Sequence, residues 1–373
     1  MADTREPQPV GRLGPAQIGR RVVVRRILPG RTGPSGGPAF TDVLGVMESW
    51  ADGVTTIRRE DDEVVAIDTA LIVAGKPVPP RPSRFSRLAA DDVLRRAQGG
   101  YRRLASRRVG DWELRYVGGA NPLANSVLAA GDPGPDLDAA FGPDLDTALD
   151  AALDAALDEV RRFYADHERP ALAQVVTGSP VEEALLARGW TPVSPPTDVL
   201  VAGVAAVARR LSGTSTAGIV HRDALTRAWL VGNDRALANF DVVAATLALP
   251  DIVFASVEED GRQRGRVRAN LVDEDWVFVA DLWVAPDSRR RGIGRRLMAD
   301  AARWAAEQGA DTLVLDTDAH NSAAQALYAS LGFERHHAFS LLAESSAEAA
   351  AGATTSALNP TTLQRDPSRA RRR

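Results

Sequence analysis

The chain contains no cysteine, which excludes disulfides, thiolate metal sites, iron–sulfur clusters and a catalytic thiol. Lysine is almost as scarce, with Lys76 standing alone beside 44 arginines. A Schiff-base enzyme would have to use that one residue, in the proline-rich stretch KPVPPRPSR, which sets such chemistry aside. The same bias, with abundant Ala, Gly, Pro and Asp, reads as the imprint of a GC-rich genome. No run of about 18 apolar residues occurs, so no transmembrane helix is expected. The N-terminal MADTREPQPV lacks the apolar core of a secretory signal, and the expected compartment is the cytoplasm. There is no large charge of one sign either: the net charge of -4 argues against nucleic acid as a partner. What is present, 45% hydrophobic and 25% charged residues over 373 positions, is the composition of folded protein. At roughly 100–200 residues per domain, that length suggests two to four domains.

Residues 10–75 predict a small all-β unit. RRVVVRRIL, TDVLGVMESW, GVTTIRRED and EVVAIDTALIV are rich in Val, Ile and Thr, and Gly/Pro-rich or acidic turns separate them. Short strands this closely spaced suggest an SH3-like barrel. Residues 76–84 read as a Pro-rich linker. From Phe85 to Gly203 a helix over SRLAADDVLRRAQGGYRRLASR, strands at DWELRYVGG, NSVLAAG and ALAQVVTG, a short helix ending at Gly189 and a strand at TDVLVAG are expected. An acidic insertion carries Leu145, Leu149, Leu153, Leu157 and Val160 on one helical face. Residues 218–342 open with helical spacing in HRDALTRAWLVG and again over Asn239–Leu249. A hairpin turning at Asp260–Gly261 follows, then the nearly continuous apolar strand WVFVADLWV, as in a buried central strand. The helix after it carries Ile293, Leu297, Ala301 and Trp304 on one face, and the next carries Ala324, Leu327, Tyr328 and Leu331. Residues 343–373, ending RDPSRARRR, read as a disordered tail.

The segments 85–203 and 218–342 look like one plan used twice. Each runs strand, loop, long helix, strand and short helix, ends in Gly-aromatic (Gly189-Trp190, Gly332-Phe333) and returns with a strand. This is a weak internal repeat, consistent with an old duplication. The loops differ: GDPGPDLD in the first copy is acidic, whereas the second copy holds RRRGIGRR. An anion site in this loop therefore belongs to the second copy alone.

That loop carries the chemistry. A buried strand runs into a helix whose first turn presents unpaired N–H groups and the positive end of its dipole. Gly292 and Gly294 leave the backbone open to a phosphate, and Arg289, Arg290, Arg291, Arg295 and Arg296 supply charged donors. The pattern R-x-x-G-x-G alone is weak. Further on, Asn321–Phe333 reads N-x-x-A-x-x-L-Y-x-x-L-G-F. A dinucleotide-binding fingerprint is excluded, since Leu297 stands where the third glycine of G-x-G-x-x-G belongs.

Taken together, the two motifs over residues 276–340 resemble the acyl-CoA-binding core of the GNAT acetyltransferase superfamily. The wider arrangement resembles an actinobacterial, histone-acetyltransferase-like branch of it. The resemblance implies an α/β (α+β) GNAT fold in tandem, a mixed sheet flanked by helices with the first copy degenerate, preceded by the SH3-like barrel. It implies acetyl-CoA as cosubstrate, no metal, and a primary-amine acceptor, either protein or small molecule. The backbone of Leu282, Trp283 and Val284 would bind the acetyl carbonyl and pantetheine amides. Arg289, Arg290, Arg291, Gly292, Ile293, Gly294 and Arg295 would hold the pyrophosphate. Asn321 and Ala324 would line the pantetheine arm, and Tyr328 would protonate the leaving thiolate.

A base is also needed. Asp281, an acidic residue on the apolar strand, is the first candidate, and Glu274, Asp275, Asp316, Asp318 and His320 are rivals. Asp281 could equally pair with an arginine. Two other readings stay open. One is a non-catalytic acyl-CoA-binding or regulatory protein acting through its barrel, although Phe40 and Trp50 stand alone there and mark no peptide groove. The other is a tandem enzyme like mycothiol synthase, a family without an N-terminal barrel.

Overall fold

The computed structural model describes residues 13–34, 36–59, 63–79, 83–119, 121–134 and 145–344. The acidic turn at 60–62, residues 135–144 of the acidic insertion and the tail beyond 344 lie outside these residues. The chain divides into two units, Met1–Arg84 and Phe85–Arg373.

The first unit is a five-stranded antiparallel sheet of order β4-β3-β2-β1-β5. Its strands are β1 (Arg21–Thr32), β2 (Pro38–Ala51), β3 (Val54–Arg58), β4 (Val64–Asp68) and β5 (Ile72–Pro77). Alternation places Val22, Val24, Val43, Met47, Ile57 and Ile67 in its core. The apolar run 63–73 divides at a single 3-10 turn, Thr69–Leu71, where Asp68 caps the amide of Ala70. β5 then runs two residues into the expected linker.

The second unit is built on one twelve-stranded sheet. The strands from the first copy are β6 (Ala105–Val109), β7 (Trp112–Tyr116), β8 (Val127–Leu128), β9 (Leu172–Val176), β10 (Trp190–Pro192) and β11 (Thr197–Gly203). Those from the second are β12 (Ile219–Arg222), β13 (Ile252–Glu259), β14 (Arg262–Asp273), β15 (Trp276–Val284), β16 (Thr312–Asp318) and β17 (Glu334–Glu344). The two sets interleave. β11 lies antiparallel between β16 and the start of β17, with Leu200 opposite Leu315 on one side and Arg335 on the other. The end of β17 in turn pairs with β9, Leu341 opposite Gln174, and with β10, Trp190 opposite Glu344. Each copy thus receives a strand from the other.

Helices cover both faces. α4 (Val204–Arg210), α7 (Ile293–Glu307) and α8 (Ser322–Leu331) pack with Val253, Val267, Val277 and Leu313 on one face. α1 (Ala90–Ala97) covers Phe278, Val314, Val199 and Phe339 on the other. There, too, the 3-10 turn Ala228–Leu230 and the helices α5 (Asp234–Ala238) and α6 (Phe240–Thr246) enclose Trp229, Ile252 and Phe254. α2 (Leu145–Asp166) and α3 (Pro180–Ala187) cover the first copy, and Leu153, Leu157 and Val160 of the expected face are buried.

Three expectations change. The helix read over SRLAADDVLRRAQGGYRRLASR ends at Ala97, because the chain must turn down onto the sheet. At Gly100 a Cβ would sit 2.5 Å from the ring of Phe278, an approach only glycine permits. HRDALTRAWLVG is not a helix: His221 and Arg222 belong to β12, opposite Ala255 and Phe254. Its helical period reflects Leu225, Trp229 and Leu230 meeting one core from a turn and a 3-10 helix. The helix expected over Asn239–Leu249 is short, α6 ending at Thr246.

The interleaving predicts that the copies do not fold apart. Without β11, a fragment beginning at Gly218 loses the buried side chains of Val199, Leu200 and Val201, and β16 loses its antiparallel neighbour. At about 1.5–3 kcal/mol per buried side chain, this removes a large part of a typical stability of about 5–15 kcal/mol. Residues 218–344 expressed alone are expected to be insoluble or to lack a cooperative melt. Co-expression with residues 1–217 should restore one, and a cooperative melt of the lone fragment would contradict the prediction.

Candidate active site at the parting of two strands

β15 and β16 are the parallel pair of the second copy, and their pairing is brief. Trp276, Val277 and Phe278 lie opposite Thr312, Leu313 and Val314; beyond Phe278 no ladder joins them. β16 continues against β11 to Asp318, while β15 continues against β14 to Val284. Val279–Val284 therefore present one backbone edge to an opening between the strands.

A β-bulge shapes that edge. Arg268 lies opposite Ala280 and Arg266 opposite Trp283, so Asp281 and Leu282 face the single residue Val267. Asp281 carries the extra residue's strain at φ 57°. The bulge also inverts the alternation. Val277 and Val279 before it, and Leu282 and Val284 after it, pack in the same core under α7 and α8. Asp281 and Trp283 emerge on the opposite face, where Arg268 Nε donates to Asp281 Oδ2 at 3.0 Å and the guanidinium of Arg266 lies 4.8 Å from the Trp283 ring.

After Val284 the chain makes the 3-10 turn Pro286–Ser288 and enters α7 through Gly292 at φ 79°. Apart from its chain neighbours and the local helix backbone, no atom of the described residues lies within 4 Å of where a Gly292 Cβ would stand, so it is the left-handed backbone that selects glycine here. Gly292 has no side chain to cap the helix, and the first-turn amides after it, Ile293 to Arg295, lack intrahelical acceptors. Ile293 is buried and anchors this turn. Gly294 faces α8, its Cβ position 3.4 Å from Leu327.

The arginines are held differently. Arg289 Nε reaches the Val284 carbonyl at 3.4 Å, and Arg291 reaches Glu259 at 3.3 Å. Arg295 donates to Ser330 Oγ at 3.1 Å, Arg296 to the Ala217 carbonyl at 2.8 Å, and Arg290 is exposed at φ 60°. Arg296 thus ties the helix to the inter-copy segment, whereas Arg289–Arg291 surround the helix mouth.

At the head of α8, Asn321 Oδ1 accepts from the amide of Ala324 at 3.2 Å, so the motif asparagine is the helix N-cap. Ala324 and Tyr328 follow on the buried face, with Tyr328 1% exposed and its ring 5.6 Å from that of Phe333. Burial, and after it the Asp316 carboxylate, push the Tyr328 hydroxyl above the usual phenol range. It stays protonated at any ordinary pH.

Tyr328 and Asp281 are not in contact: they lie on opposite faces of the sheet, with the opening between them. The rival acids are placed elsewhere. Glu274 and Asp275 sit in the turn before β15, some six residues or roughly 20 Å along the strand from Asp281. Asp318 accepts from the amide of His320 at 2.7 Å, which fixes the turn into α8. Asp316, at the end of β16, is buried and raises the pKa of both Tyr328 and Tyr101.

Tyr101, Asn121, Arg266 and Arg268 complete this end of the sheet, and the sequence did not single them out. Arg268 Nη1 donates to the Gly100 carbonyl and to Asn270 Oδ1, both at 2.9 Å, and its guanidinium lies 5.1 Å from the Tyr101 ring. The Tyr101 hydroxyl bonds Asn121, and burial pushes it up to about 12. The available signal was RGRVRANL, whose polar residues alternate as on a solvent-facing strand. Arg266 and Arg268 are in fact 1% and 0% exposed.

Comparison with known proteins bears on this region. Residues 221–333 match the acetyltransferase (GNAT) family, and residues 16–76 match the Rv0428c N-terminal Sm-like domain. An uncharacterized N-acetyltransferase, YhfO, of Bacillus subtilis is 41% identical over 62 residues, 17% of this chain and 42% of that protein. The mycothiol acetyltransferase of Kocuria rhizophila is 48% identical over 54 residues, 14% of this chain and 18% of that one. The chain thus spans less than half the length of these curated relatives. Among solved structures, a GCN5-related N-acetyltransferase from Kribbella flavida aligns over 71% of this chain and 97% of its own, with TM-score 0.49 and 19% identity. The β unit expected to be SH3-like is thereby an Sm-like domain, and the strand–loop–helix that builds the opening lies in a GNAT acetyltransferase domain.

Proposed function

We propose that the chain is an acetyl-CoA-dependent N-acetyltransferase that moves the acetyl group directly onto a primary amine, of a protein or a small molecule. The observation that carries this reading is the parting of β15 from β16 after Phe278, with a glycine-opened, arginine-ringed helix mouth at its end. Acetyl-CoA would supply the activated acetyl thioester.

The residues divide the work. The first-turn amides of α7, with Arg289, Arg290, Arg291 and Arg295, would hold the pyrophosphate around Gly292, Ile293 and Gly294. The backbone edge Leu282–Val284 would bind the pantetheine amides and the acetyl oxygen, a preorganised set of donors that needs no rearrangement. Asn321 and Ala324 would border the pantetheine arm. Asp281, through the Oδ1 that Arg268 leaves open, would take the proton that the amine loses as its C–N bond forms. Tyr328 would deliver its hydroxyl proton to the sulfur as the C–S bond breaks. No covalent enzyme intermediate is required, in accord with a chain free of cysteine.

The domain plan proposed with this is an N-terminal barrel over 10–75, a linker over 76–84, a degenerate first copy over 85–203 and a catalytic copy over 218–342. The first copy completes the sheet rather than binding cofactor. The testing experiment is calorimetric titration of acetyl-CoA into the full chain. Micromolar, one-to-one binding is expected, and no binding to folded protein would overturn the proposal.

A further inference from the structure

The two arginines on the acceptor-side face of β14 are unusual. Arg266 and Arg268 stand two residues apart on the same face, enclosed by Tyr101, Phe278, Trp229 and Trp283. A buried guanidinium normally has a carboxylate partner. Arg268 has one, Asp281. Arg266 has none within ion-pair distance among the described residues: its Nη1 donates to the Val231 carbonyl, and its Nε is buried without a partner. Arg268 likewise keeps a buried, partnerless Nη2. Burial pulls the Arg266 guanidinium below its usual range, and only the field of Asp281 offsets this. Asp316 is the other acid nearby, and its field falls on Tyr101 and Tyr328.

The indoles of Trp229 and Trp283, 5.2 Å and 4.8 Å from the guanidinium, stabilise the cation of Arg266 but satisfy neither Nε nor the charge. An anion small enough to lie beside Asp281 would satisfy both buried, partnerless N–H groups. It cannot be the pyrophosphate of acetyl-CoA. Gly265, which precedes Arg266, faces Ile293 and Leu297 of α7, so Arg266 points to the opposite side of the sheet from the helix mouth.

We infer that Arg266 and Arg268 form an anion-binding subsite for the acceptor, and that the acceptor is a small amino acid, its carboxylate a few bonds from the amine that is acetylated. This inference rests on the acetyltransferase reading. A carboxylate bridging Arg266 Nε and Arg268 Nη2 would place the attached amine next to Asp281. The first copy takes part through Gly100, Tyr101 and Asn121, which wall this side of the subsite.

The test is a panel of the twenty amino acids and their matching amides. It is read by calorimetric binding to the full chain and, with acetyl-CoA, by release of free CoA thiol. At least one acid is expected to bind and be acetylated about tenfold or more better than its amide, because the amide leaves the guanidinium groups unpaired. Arg266→Met should erase that preference and leave acetyl-CoA affinity within about twofold, since the change lies on the other face. If Arg266→Met fails to fold, Arg266→Lys, which keeps the charge but not the planar fork, should reduce the preference. The inference is overturned if amides match or exceed acids, or if no amino acid binds while acetyl-CoA does. Failure of acetyl-CoA itself to bind strikes the acetyltransferase reading, and the amino-acid binding arm still reports on the subsite.

Discussion

Tyr328→Phe is expected to lower kcat by about 10²–10⁴-fold, the usual contribution of a positioned general acid. Acetyl-CoA affinity should change little. The tyrosine hydroxyl makes no described hydrogen bond, so its removal orphans no partner. The ring keeps its contact with Phe333 at 5.6 Å, and the packing that shapes α8 survives. The split between kcat and affinity is the informative part, because a merely structural tyrosine would move both through misfolding. The pH profile follows from the direction of the shift. An acid is active while protonated and is lost as pH rises through its pKa. Burial places that pKa above the phenol value of 10, so Tyr328 sets no alkaline limb below about pH 10. Steady-state kinetics from pH 6 to 9.5 on both proteins would check this. Equal kcat in the variant removes Tyr328 as the acid.

Gly292→Asp should reduce acetyl-CoA affinity by two or more orders of magnitude while leaving the protein folded. Two effects are separable here. Any side chain at φ 79° costs about 1–2 kcal/mol in the left-handed region, which Gly292→Ala measures by itself. The aspartate adds a carboxylate where the helix end would receive a pyrophosphate. Like charges about 4 Å apart repel by about 4 kcal/mol at an effective dielectric of about 20. An acid at a helix N-cap favours the helix itself, so α7 should persist. Thermal melts should show the strain in both variants, while calorimetry should place Gly292→Ala near wild type and Gly292→Asp far below it. Unchanged affinity in the aspartate variant would mean that the phosphates lie elsewhere.

The part of the site formed by adjacent segments was legible in the sequence. Strand, loop and helix over 276–307 follow from a continuous apolar run, a glycine pair and an i, i+4 apolar face, and Asn321–Gly332 is delimited by its own cap residues. What was hidden depends on partners distant in the chain. The bulge at Asp281 leaves no trace in WVFVADLWV, because apolar residues on both faces look the same before and after an inversion of the alternation. Arg266 and Arg268 were not singled out, since a polar alternation on a strand cannot reveal that Gly100 and Tyr101, some 165 residues earlier, lie over it. The exchange of β11 was invisible for a related reason: TDVLVAG suits any central sheet position, and its own pattern does not name its neighbours.

That exchange has a consequence for descent. A duplicate that loses its cofactor loop is usually free to decay and be deleted. Here a recombination break anywhere between Gly203 and Gly218 would leave two products, each missing an interior strand. If the second copy alone binds cofactor, as proposed, selection on it also maintains the first. It leaves the GDPGPDLD loop free to drift, but not the seven residues Thr197–Gly203. On the proposed reading, the copy without the glycine loop has become a heritable component of the copy that bears it.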